Sequence, residues 1–140
     1  MTTTTTFSER TTSPFRHDVV GSFLRPQALK DARAQYAAGQ LDAAGLKAVE
    51  DAEIIKLIQQ QEAAGLRAVT DGEFRRSWWH LDFFWGLTGI EKKSLKQGYV
   101  FHDEETRAES AYVSGKISGA DHPFVDAFKF VRDHVSVGVQ

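Results

Sequence analysis

The sequence predicts an α/β fold, and three junctions carry that reading. From Gln61 to Arg76 the chain runs from a helix through a glycine stop into a short apolar strand and then a charged turn. Earlier, Asp18-Val19-Val20-Gly21-Ser22-Phe23 reads as a short buried strand ending in a glycine turn, and Leu24-Arg25-Pro26 leads into a helix with proline where no hydrogen bond is lost. Near the end, a helix opened by His122-Pro123 precedes Val135 to Val139, which reads as the start of another strand.

The elements follow in order. Residues 1–13 are threonine-rich and polar and read as a disordered or loosely attached arm, so the fold starts near Phe15. Between Pro26 and Ala38 the residues Ala28, Leu29, Ala32 and Tyr36 fall on helical spacing, and Gly39 stops the run. Asp42 is placed to cap a long helix that carries Leu46, Val49, Ile54, Leu57 and Ile58 and ends at Gly65. Leu66 to Thr70 is the strand that follows. Trp78, Trp79, Phe83, Phe84 and Trp85 give a density of aromatics suited to a core or a subunit interface. Gln97 to Phe101 and Ala111 to Ile117 read as strands flanking the charged segment His102 to Glu109, a hairpin-like β excursion. In the helix after His122, Phe124, Phe128 and Val131 form one stripe.

Composition narrows the chemistry. The 140 residues are 41% hydrophobic and 26% charged with a net charge of -2, a balance with no bias toward nucleic acid or membrane partners. No apolar run reaches the roughly 18 residues of a membrane span, and the first residues lack the apolar core of a signal peptide, so the default location is cytoplasmic. There is no cysteine, hence no disulfide and no thiolate for metal or nucleophilic chemistry. The five histidines, His17, His80, His102, His122 and His134, show no compact metal-binding spacing, and no phosphate-cradling glycine loop occurs.

Asp71-Gly72-Glu73 falls just past the C-terminal end of a strand, where α/β folds bind ligands, and Glu73 is the first candidate for a ligand contact. The bland reading makes Glu73 a surface residue paired with Arg75 or Arg76, and makes those arginines braces of the loop. His80, beside the tryptophan pair, is a further candidate near the site.

Three motifs, Gly21-Ser22-Phe23-Leu24-Arg25-Pro26, Asp71 to His80 and Gly98-Tyr99-Val100-Phe101-His102, together with Gln61-Glu62, resemble the catalytic domain of cobalamin-independent methionine synthase, and most of all its short single-domain bacterial relatives. The likeness runs from about Phe15 to the end of the chain. It implies that residues 14–140 are the N-terminal portion of a (β/α)8 barrel that transfers a methyl group to the thiol of homocysteine, giving methionine. It further implies Val20, Gly21 and Ser22 at the amino acid's carboxylate, Glu73 at its ammonium group, and Thr106 and Arg107 toward the methyl donor; Arg75, Arg76 and His80, read from the residues alone, are candidates to stand behind them. Glycine admits a close backbone approach, serine donates, and an ionised glutamate accepts, so the residue chemistry agrees with that assignment.

The sequence also departs from the family. A zinc ion activates the thiol there, held by histidine, cysteines and glutamate from later strands, and this chain has no cysteine. A full barrel needs about 250 residues. The expectation is therefore an incomplete barrel that binds no zinc alone, either the front part of a methyltransferase with an unidentified methyl donor or a catalytically inactive binding or assembly module. A third reading, a decarboxylase on the same architecture, lacks the expected propionate-binding arginines. An open sheet edge and the aromatic stretch together predict self-association into a homo-oligomer.

Overall fold

The computed structural model describes residues 11–12, 19–98, 100–102, 104–105, 107–136 and 138–139. Most of the threonine-rich arm lies outside them, as do His17, Asp18, Tyr99, Asp103, Thr106 and Val137. The element order is α1 (Gln27–Ala37), α2 (Ala43–Ala63), β1 (Ala68–Val69), α3 (Leu81–Trp85), β2 (Thr88–Ser94), β3 (Val100–Phe101), β4 (Glu104–Glu105), β5 (Glu109–Ser118), α4 (Pro123–Arg132) and β6 (Gly138–Val139).

The α/β class predicted from sequence is present as a small mixed fold. β1 and β6 pair in parallel, Ala68 with Gly138 and Val69 with Val139, and α4 lies between them in the chain. α2 packs against β1 and against α4, α4 packs against β6, and α1 lies along α2. The core gathers Leu29 from α1, Ile54, Leu57 and Ile58 from α2, Val69 from β1, Phe74 from the turn after it, and Val131 from α4. Burial of each such side chain contributes about 1.5–3 kcal/mol before chain entropy is counted.

α2 begins as its sequence suggests. The Asp42 carboxylate accepts from Gly45 N–H at 2.7 Å, satisfying one of the free donors of the first turn. It ends at Ala64, and Gly65 takes the left-handed conformation, φ +85°, that reverses the chain. Its buried face includes the polar residues Glu50, Glu53 and Gln61 beside Ile54, Leu57 and Ile58. Gln61 ties the helix to the residue after β1, because its side-chain amide donates to Thr70 C=O at 2.9 Å and accepts from Thr70 N–H at 3.1 Å.

Several expectations are corrected. The described part of the predicted strand at Asp18–Phe23 forms no strand, and Val20 and Leu24 are 94% and 96% exposed. Phe23 packs on the core, and its N–H donates to Gly72 C=O at 3.2 Å. In α1, Leu29 and Ala32 are buried, whereas Tyr36 lies half in solvent. The predicted strand Leu66–Thr70 shortens to Ala68–Val69.

The excursion is a β-hairpin, but its first strand is Thr88–Ser94, paired antiparallel with Glu109–Ser118, and the predicted segment at residues 97–101 contributes only the small β3–β4 pair. The β2 segment, with its lysine pair and glycine, lacks the β-branched density that marks strands in sequence. On α4 the predicted stripe is turned: Val131 is buried and Phe130 packs on the core, while Phe128 is 51% exposed. His122 caps this helix, its Nδ1 accepting from Phe124 N–H at 3.1 Å while Nε2 meets Phe83 C=O at 2.9 Å.

Candidate functional site at the turn after the first strand

The turn Asp71–Arg76 is built from local hydrogen bonds. Thr70 Oγ1 accepts from Gly72 N–H at 2.9 Å and Asp71 Oδ1 accepts from Glu73 N–H at 2.9 Å. Phe74 N–H donates to Asp71 C=O and Arg76 N–H to Glu73 C=O. Two successive residues adopt left-handed backbone, Gly72 at φ +65° and Glu73 at φ +57°. Glycine accepts this without cost, but for a glutamate such a conformation costs about 1–3 kcal/mol and persists only where the surroundings hold it.

The surroundings come from the segment before α1 and from α1 itself. Arg25 Nη2 donates to Glu73 C=O at 3.1 Å and Arg76 C=O at 2.8 Å. Arg33 Nη1 donates to Arg76 C=O at 3.1 Å and its Nη2 to Phe74 C=O at 2.5 Å. With the Phe23–Gly72 bond, these contacts fasten the residues that directly follow Ser22 to the loop carrying Glu73. Backbone dimensions then bound the Ser22–Glu73 Cα separation at less than about 15 Å. Neither Ser22 nor Glu73 lines the cavity of about 290 Å³ that opens beside the turn. Its walls include Asp71, Arg75, Arg76, Asp82, Trp85 and Phe124.

Of the other predicted residues, those within the described part each have a definite place. Glu73 Oε1 lies 3.4 Å from Arg76 Nη1, and the Arg76 guanidinium sits 4.4 Å over the Phe124 ring. Arg75 pairs with Glu50 at 3.3 Å and with Asp51 at 2.5 Å, and covers the Phe130 ring at 4.9 Å. His80 packs on Trp79, ring centroids 4.5 Å apart, and its Nδ1 is buried with no hydrogen-bond partner among the described residues. Thr106 lies outside the described residues. Arg107 donates to Ser77 C=O at 2.9 Å, approaches Glu109 at 3.6 Å and stacks on Trp78 at 4.7 Å. Glu109 joins the hairpin to this region by accepting from Trp78 Nε1 at 2.6 Å and pairing with Lys92.

Charge is unevenly compensated. Burial pushes the Glu50 carboxyl above its ordinary range, against the pull of Arg75 and Arg33. Burial, and then the neighbouring Arg25, lower Arg33 from its ordinary value, with Glu50 opposing. The Glu109 carboxyl is held below its range by hydrogen bonds from Lys92 and the Trp78 indole.

Arg25 and Arg33 are the residues that sequence reasoning missed. Arg25 stands inside the Gly21–Pro26 motif, but nothing local marks Arg33, whose carbonyl partners are more than 40 residues away in the chain. The residues present do not fit the family's zinc: the sequence has no cysteine, and among the described residues no group of three or more histidine, aspartate or glutamate side chains gathers as a metal site would require.

No profile of a known protein family matches the sequence. It is 44% identical over 124 residues to the uncharacterized protein YxjG of Bacillus subtilis (strain 168), covering 89% of this chain and 33% of that protein. It is also 44% identical over 121 residues to the uncharacterized protein YxjH of the same organism. The chain thus spans about a third of the length of the curated relatives it matches. Among solved structures it is similar to a Listeria monocytogenes protein assigned as a vitamin-B12-independent methionine synthase, with a TM-score of 0.70 and 37% identity over 88% of this chain and 33% of that one. A second is a B12-independent methionine synthase from Shewanella sp. W3-18-1 in complex with selenomethionine, with a TM-score of 0.54 and 25% identity over 71% of this chain and 29% of that one. By sequence motif and by backbone together, the family that this chain resembles is that of the cobalamin-independent methionine synthases.

Proposed function

We propose that this chain supplies the amino-acid-binding half of a methyltransferase site that converts homocysteine to methionine, on what corresponds to the N-terminal portion of a (β/α)8 barrel. The observation that carries the reading is the attachment of Phe23 and Arg25, which directly follow Val20–Ser22, to the Asp71–Arg76 turn. Two loops distant in sequence and close in space offer complementary chemistry for a zwitterion. The exposed backbone at Val20 and Gly21, with the Ser22 N–H and O–H, suits a carboxylate, and the Glu73 carboxylate suits an ammonium group. Arg107, held over Trp78 at the base of the hairpin, is assigned with Thr106 to the methyl-donor side.

This chain's residues are not expected to hold zinc. The missing thiolates favour a second reading, an amino-acid-binding or assembly module without turnover of its own. A cytoplasmic location and a homo-oligomer belong to the same proposal; no helix among the described residues is long and apolar enough to cross a membrane.

Calorimetric titration of the chain with L-methionine tests binding apart from turnover. One site is expected, weakened about 10- to 100-fold by Glu73→Gln, since a hydrogen bond to a charged group contributes roughly 1.5–3 kcal/mol. Absence of binding, or equal binding by the variant, overturns the assignment of Glu73.

A further inference from the structure

Two guanidinium groups converge on three carbonyls of one turn. Arg25 and Arg33 together donate to the C=O groups of Glu73, Phe74 and Arg76, and the Arg76 carbonyl accepts from both. The turn that carries these carbonyls has left-handed backbone at both Gly72 and Glu73. Carbonyl dipoles crowded in this way repel one another, and a planar fork with several donors relieves that repulsion in a way that a point charge does not.

The arrangement carries its own costs. Arg33 is shifted from its ordinary state by burial and by the like charge of Arg25. The Nε atoms of both arginines are buried with no hydrogen-bond partner among the described residues. The Glu50 carboxylate, 3.7 Å from Arg33 Nη2, compensates only part of this charge. What this pair secures is a geometry: the backbone at Glu73 stays left-handed, and its carboxylate is held beside Arg76, 3.4 Å away.

We infer that Arg25 and Arg33 are positioning residues for Glu73, holding the turn in the conformation that presents its carboxylate to the ammonium group of an amino acid. The inference rests on the role proposed above for Glu73, but its structural half is open to measurement without any ligand.

The experiment uses the whole chain and the variants Arg25→Ala, Arg33→Ala, Arg25→Lys and Arg33→Lys, each checked for a native circular dichroism spectrum. The three-bond HN–Hα coupling and carbon shifts of Glu73, read by nuclear magnetic resonance, report its φ. In the wild type they should carry the left-handed signature, and in the alanine variants they should lose it. The lysine variants keep the charge without the fork and should recover little of it. Affinity for L-methionine should fall about tenfold in each alanine variant, and Arg33→Ala should change it less than about twofold when Glu73 is already glutamine, because residues acting through one group are not additive.

Retention of the left-handed signature in both alanine variants overturns the inference. So does full recovery by lysine, which would reduce the effect to charge, or an undiminished effect of Arg33→Ala in the Glu73→Gln background. Should an alanine variant not fold, its lysine counterpart decides the same question through the Glu73 signature. A wild type that binds no L-methionine refutes the proposed function alone, and the coupling measurement still decides whether the arginines hold the turn.

Discussion

Replacing Gly72 with alanine should damage this protein more than a left-handed glycine ordinarily would. At φ +65° a residue with a Cβ is strained by roughly 1–2 kcal/mol. Gly72 is also packed: an added Cβ would lie 2.4 Å from Leu57 Cδ2, 3.2 Å from Phe74 Cε1 and 3.3 Å from Phe23 Cβ. Leu57 and Phe74 are core residues, so making room costs a further 1–3 kcal/mol or so. The expected loss is about 2–5 kcal/mol, a melting temperature lower by roughly 6–15 °C at about 3 °C per kcal/mol for a chain of this size. Gly65 is the control, since at φ +85° it has no atom within 4 Å of an added Cβ. Gly65→Ala should therefore lose only the backbone share, roughly 3–6 °C. Thermal and urea unfolding of both variants measure the difference. A Gly72→Ala protein that melts with Gly65→Ala would refute the packing argument. So would strict additivity with Leu57→Ala, which removes the clashing methyl and should couple by about 1–2 kcal/mol.

Two other outcomes follow from the charges and the surface. Arg75→Met should destabilise the fold by about 2–3 kcal/mol at pH 7 by leaving Glu50 buried with less compensation. Burial already raises the Glu50 carboxyl above its unfolded value, so its contribution is favourable at low pH and is lost as pH rises through the folded value. The Arg75→Met deficit should accordingly shrink between pH 7 and about pH 4.5, and a deficit constant in urea titrations across that range would count against the Glu50 account. Self-association is expected because Trp79 is 71% exposed and Phe83, Phe84, Val125 and Phe128 are also partly in solvent. Light scattering at micromolar concentration should report more than the 15.6 kDa of one chain, and a monodisperse monomer would withdraw the oligomer.

Legibility in the sequence follows the range of the interactions. The Asp42 cap, the Gly65 stop, the proline-opened α4 and the α/β order rest on contacts within a few residues, and each can be read locally. Asp71-Gly72-Glu73 stands out for the same reason, as a glycine-hinged acidic turn after a strand. The hairpin partner is misplaced by sequence because β2 carries Lys92 and Lys93 where strand composition would favour β-branched residues, and its pairing with β5 is decided in three dimensions. The Asp18–Phe23 segment looks like a buried strand by composition, yet burial needs a partner, and among the described residues nothing covers Val20 or the following Leu24. Arg33 is invisible because its two carbonyl partners are backbone groups, which carry no sequence signature at all.

The Gln61–Thr70 pairing has a consequence for where the parallel sheet stops. A primary amide presents a donor and an acceptor side by side, the same face that a neighbouring strand would offer to Thr70. Both main-chain groups of that residue are thereby occupied by a side chain from α2. Another polypeptide cannot extend the ladder past Val69 there without first displacing the amide, and Gln61 is itself buried. The helix thus acts as a terminator for β1, protecting a short strand from mispairing with a stray edge while leaving the turn beyond it free to take a shape no ladder would permit.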